Sequence, residues 1–116
     1  MSIERQKTNA RMSQIVKHNG TVYLAGQVPT DFSADIQEQA RTTLGKIDGL
    51  LAEAGTSKEN LISAVIYLKD IGSHFNLMNP VWEEWVPDGR APVRACVEAN
   101  MALPDILIEI SIIAAA

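Results

Sequence analysis

Hydrophobic positions along the chain switch repeatedly between a period of two and a helical period, and that switching predicts the elements. Residues 3–8 read as a first strand. Ile15 and Val16, then residues 22–25, flank Asn19-Gly20, a dipeptide that accepts positive φ at both positions and so predicts a two-residue hairpin. Over residues 34–54, Ile36, Ala40, Leu44, Ile47, Leu51 and Ala54 recur at spacings of four and three and make one apolar helical stripe. Ser33 is placed to cap this helix, Asp35 lies near its positive end, and Gly55 ends it in the left-handed conformation. Thr56-Ser57-Lys58-Glu59 has the spacing of a capping box for one short turn.

Residues 61–68 form a rich aliphatic strand, and beyond Gly72 an irregular turn is expected through His74 and Phe75. Asn79-Pro80 reads as a cap followed by a first-position proline, opening a short helix over 80–86 with Trp82 and Trp85 three apart. Pro87-Asp88-Gly89 stops it. Two strands close the chain, 93–98 and 106–114. In the first, Val93, Ala95, Val97 and Ala99 alternate as the expected buried face, leaving Arg94, Cys96 and Glu98 opposite. In the second, Ile106, Ile108, Ile110 and Ile112 form a core face against Leu107, Glu109, Ser111 and Ile113.

The order β-β-β-α-β-α-β-β makes the fold class α+β, with one six-stranded sheet carrying two helices on one face. The other face then needs cover, and a second subunit is the expected one. Length agrees: 116 residues make one domain, 1–116, too small for a second core. With aromatics at 5%, the core is built from Ile, Leu, Val and Ala. A net charge of -4 weighs against a general affinity for nucleic acid, with only Arg5, Lys7 and Arg11 as a local basic cluster. The single cysteine excludes an internal disulfide and suits a reducing compartment. The opening MSIERQKTNARMSQ lacks the apolar run of a signal peptide, and ILIEISIIAAA is too short to span a bilayer, so a cytoplasmic protein with no membrane partner is expected. His18 and His74 have no Cys or His partner at ligand spacing, so no structural metal is expected.

Two charges stand out. Arg94 is a lone cation in one apolar strand and Glu109 a lone carboxylate in another. They read either as a structural pair or solvated side chains, or as a polar pair in an apolar cleft, where an arginine receives a carboxylate or phosphate. Cys96 has no histidine base nearby in sequence and reads better as a small buried side chain than as a nucleophile. Trp82 and Trp85 read as packing anchors.

Several stretches together resemble the RidA/YjgF family, formerly labelled endoribonuclease L-PSP, over nearly the whole chain. They are AGQVP (25–29), EQARTTLGKIDGLLAEAG (38–55), AVIYLKDIGSHFNLMN (64–79), PVRACVEA (92–99) and LPDILIEISIIA (103–114). MNPVWEEWVPDGRAPVR is most similar to the YoaB-like branch. The resemblance implies a chorismate-mutase-like fold, a shuffled strand order and a homotrimer with clefts between subunits. It implies a 2-iminobutanoate/2-iminopropanoate deaminase-like hydrolase that converts reactive 2-imino acids to 2-oxo acids and ammonia, without a cofactor. Carried over by position, Arg94 binds the substrate carboxylate, the main chain of Cys96 lies beside the substrate, and Glu109 positions water. Asn79 and Gly26 complete the cleft. Two positions depart from the family pattern: Met12 in RMSQ stands where a tyrosine is usual, and Ala25 where a serine is usual. Two other functions stay open on the sequence: a module that binds a 2-oxo acid or amino acid without turnover, and an RNA-cleaving or translation-inhibiting role.

Overall fold

The computed structural model describes residues 2–116. Six strands, β1 (Glu4–Thr8), β2 (Ser13–His18), β3 (Thr21–Leu24), β4 (Leu61–Leu68), β5 (Val93–Glu98) and β6 (Ile108–Ala115), form one sheet in the order β1-β2-β3-β6-β4-β5. Two helices, α1 (Ile36–Glu53) and α2 (Ile71–Trp85), cover one face. All neighbours are antiparallel except β4 and β5, which run parallel, so α2 is the crossover between them. The last two strands in sequence do not touch as neighbours; β6 inserts between β3 and β4. No helix among the described residues is long and apolar enough to cross a membrane.

Local chemistry explains most boundaries. Asn19 and Gly20 take φ of 51° and 74°, closing the β2–β3 hairpin with the twist its strands require. The predicted stripe of α1 is buried against the sheet. Gly55, at φ 84°, ends α1 in a Schellman arrangement: Thr56 N–H reaches the Leu51 carbonyl and Gly55 N–H the Ala52 carbonyl. Ile106, Ile108, Ile110 and Ile112 are all buried, as their alternation predicts.

Four expectations are corrected. Helix α1 is capped by Asp35, whose carboxylate accepts from Glu38 N–H, because Ser33 is held in a turn by Asp31. Ser57, not Thr56, caps the short 3-10 turn Lys58–Asn60; the Thr56 hydroxyl instead donates to the Ala115 carbonyl. Helix α2 begins at Ile71 under an Asp70 cap, so His74 and Phe75 are helical and Asn79-Pro80 lies within it. Burial of Met78, Val81 and Trp82 carries the helix through Pro80, whose ring removes only the hydrogen bond to the Asn76 carbonyl.

The fourth correction concerns the faces of β5. The register pairs Ala64 with Arg94, Ile66 with Cys96 and Leu68 with Glu98. Since Ala64, Ile66 and Leu68 face the helices, so do Arg94, Cys96 and Glu98. The apolar set points the other way: Val93 is 72% exposed and Val97 42%. Together with Val65, Ile113 and Tyr23 they make a largely apolar sheet face that the described residues do not cover.

Candidate functional site

The five residues singled out from the sequence separate into two clusters. The first lies on the helix side of edge strand β5. Arg94 Nη1 donates to Asn79 Oδ1 at 2.9 Å, and the guanidinium carbon lies 5.9 Å from the ring centres of both Phe75 and Trp82. Phe75, Asn79 and Trp82 recur at spacings of four and three on α2, so one face of the helix holds the cation from three points. Among the described residues Arg94 has no carboxylate partner. Its guanidinium is therefore oriented by an amide and two rings, with donors left over.

Cys96 follows two positions along and packs against the core. Burial pushes its thiol above the ordinary range, and the Arg94 charge offsets a smaller part of that shift. A thiol raised in this way stays protonated at neutral pH and is a poor nucleophile. Its main chain is better placed. Ala99 N–H donates to the Leu68 carbonyl, so by strand alternation the N–H and C=O of Arg94, Cys96 and Glu98 point to the free edge of the sheet.

The second cluster lies on the uncovered face. Glu109 pairs across the ladder with Tyr67 and lines a cavity of about 290 Å³ with Gly26, Tyr67, Ser111 and the 99–101 segment. Two hydrogen bonds between Gln27 and Ile110 hold Gly26 against this carboxylate. A Cβ on Gly26 would lie 2.2 Å from Glu109 Oε2, closer than any real contact. Gly26 is thus needed for the place it leaves to Glu109. Among the described residues, the Glu109 carboxylate has neither an ion-pair partner nor a protein hydrogen bond.

The structure therefore joins Arg94 to Asn79 and Gly26 to Glu109, with Cys96 beside the first pair. It does not join Arg94 to Glu109. Arg94 faces the helices and Glu109 the open side, which removes the structural-pair reading within one chain. Sequence reading missed Phe75, whose place in α2 was hidden by the Asn79-Pro80 signal, and Tyr67, which only the β4–β6 register brings to Glu109.

A two-helix, six-stranded mixed sheet with one apolar face open defines a class of small α+β proteins, and the comparisons give the family. Residues 2–116 match the family model described as Endoribonuclease L-PSP, and the chain belongs to that family. It is 42% identical over 115 residues to the RutC family protein YoaB of Escherichia coli (strain K12), covering 99% of each chain. The solved structure of NMB1025, a member of the YjgF protein family from Neisseria meningitidis, superposes with a TM-score of 0.94 at 43% identity, covering 99% of this chain and 95% of that one. YyfA of Yersinia pestis, described as of the conserved Rid protein family, superposes with a TM-score of 0.85 at 28% identity, covering 94% and 90%.

Proposed function

We propose that this protein is a hydrolytic deaminase of reactive 2-imino acids, working in the cytoplasm as a homotrimer with its sites between subunits. One observation carries the reading: a pre-oriented guanidinium and a carboxylate, neither with an ionic partner among the described residues, lie on opposite faces of one sheet. Two such groups meet only when the Arg94 side of one copy is laid near the open face of another. The apolar open face supplies a reason for that association.

The chemistry follows from the residue types. A 2-imino acid is readily protonated on nitrogen, so its carbon is already electrophilic. Arg94 takes the carboxylate through two parallel N–H···O bonds and thereby places that carbon. The outward N–H and C=O of Cys96 lie along the same edge to align the substrate. Glu109 accepts a proton from water as the oxygen bonds to carbon and returns it to nitrogen; as the C–N bond breaks and the C=O bond forms, the proton of the new hydroxyl passes through Glu109 to the departing ammonia. Water is consumed, and a 2-oxo acid and ammonium leave. Neither redox change nor a covalent enzyme intermediate enters.

The test generates imines in place, with an amino-acid oxidase or a dehydratase, and follows their disappearance. The protein is expected to hasten imine loss well beyond the spontaneous rate, and Arg94→Ala to remove most of that effect. Tight binding of 2-oxo acids with no gain in imine loss would instead make the cleft a sensor.

A further inference from the structure

Tyr67 is a phenol set directly across the β4–β6 ladder from Glu109, and Ser111 follows Glu109 by two positions on the same face. Direct cross-strand neighbours have Cβ atoms about 4.5–5.5 Å apart, within reach of side chains that share one small molecule. All three line the same cavity, in which Tyr67 is the other titratable group among the described residues. Among the described residues neither hydroxyl has a protein hydrogen-bond partner, and at about 290 Å³ the cavity has room for a substrate and its water together.

We infer that Tyr67 is a water-positioning residue for the reaction proposed above, with Ser111 as its second support. The hydrogen-bond inventory makes the assignment specific. Ionised Glu109 only accepts, so it takes one proton of the water. The Ser111 hydroxyl oxygen accepts the other. The Tyr67 O–H donates to one of the two lone pairs of the water oxygen. One lone pair is left, and it is the one aimed at the imine carbon. Glu109 alone would leave the water free to turn about a single bond; Tyr67 fixes that rotation. As water attacks, its proton passes to Glu109, and Tyr67 is neither consumed nor ionised.

The assignment rests on the imine-hydrolysis reading, so its test has one arm that needs no turnover. Crystal structures at high resolution of wild type and Tyr67→Phe should differ at one water. In wild type it lies within about 2.6–3.2 Å of the Glu109 carboxylate, Tyr67 Oη and Ser111 Oγ; in the variant it is displaced or lost. In the kinetic arm, Tyr67→Phe keeps the ring and therefore the packing. It should lower kcat about tenfold or more with KM nearly unchanged, and Ser111→Ala should show the same split, since neither residue grips the carboxylate. A wild-type water that does not touch Tyr67, or one unmoved in Tyr67→Phe, overturns the inference whatever the kinetics show. So does a Tyr67→Phe enzyme with normal kcat. If wild type hydrolyses no imine, the functional reading fails, and the water position still decides this one.

Discussion

Adding one methyl group at Gly26 should damage the proposed chemistry without damaging the fold. A Cβ at Gly26 would fall 2.2 Å from Glu109 Oε2 and 3.1 Å from its carboxyl carbon, while ordinary contact begins near 3.4 Å. The carboxylate must therefore retreat by about 1 Å. What moves is the far end of a flexible side chain, and Gly26 is not among the glycines with positive φ, so Gly26→Ala imposes little backbone strain. Stability should change by less than about 1 kcal/mol, as for other substitutions that leave the core and the backbone conformation alone. Catalysis should suffer far more, because a misplacement of about 1 Å at a reacting group costs on the order of a hundredfold. The assay is kcat for imine hydrolysis beside the thermal midpoint, on Gly26→Ala, Glu109→Gln and the double variant. Glu109→Gln should lose about 10²–10⁴-fold, the range of general acid–base contributions. The double variant should be no worse than Glu109→Gln alone, since both changes act through the same carboxylate. Fully additive losses would refute the reasoning, as would a Gly26→Ala enzyme that is destabilised yet catalyses normally.

Three other perturbations probe separate parts of the site. Arg94→Ala should weaken substrate capture by roughly tenfold to a few hundredfold, since charge-assisted hydrogen bonds contribute about 1.5–3 kcal/mol each and only part of that is lost net; Arg94→Lys should recover a fraction of it, measured as KM. Cys96→Ala should keep most activity, and thiol alkylation should be slow at neutral pH and quicken only above the ordinary thiol range, because burial holds the protonated form; a thousandfold loss of turnover in Cys96→Ala would make the thiol a nucleophile. Val93→Glu puts a charge on a side chain that is 72% exposed in the isolated chain, so it should leave the protomer folded by circular dichroism while light scattering shows the assembly broken. Assembly unaffected by that charge would mean the open face is not the interface.

Elements carried by local chemistry were readable from the residues: the Asn19-Gly20 hairpin, the stripe of α1, its Gly55 stop and the isoleucine face of β6. The order of elements and the α+β layer arrangement followed. The errors share a physical cause, which is that local signals do not report the partner surface. Period-two alternation in β5 shows which residues share a face, but the expectation that the apolar set is internal assumed the core lies within the chain. Asn79-Pro80 is a sound start signal, yet Asp70 offered an earlier cap and tertiary burial carried α2 across the proline. For the site, the residue types of Arg94 and Glu109 marked them as unusual. That they lie on opposite faces, that Asn79 holds Arg94, and that Gly26 makes room for Glu109 all depend on register.

The central claim is that each site takes Arg94 from one subunit and Glu109 from another. Co-expression of Arg94→Ala with Glu109→Gln tests it directly. Each variant alone has no complete site, and a mixed assembly has one wherever the intact arginine of one copy meets the intact glutamate of its neighbour. Random mixing in equal amounts should restore about a quarter of the clefts, and so about a quarter of wild-type imine hydrolysis. Activity that stays at the level of the two parents would contradict the claim, because it would mean both residues serve one site from the same chain.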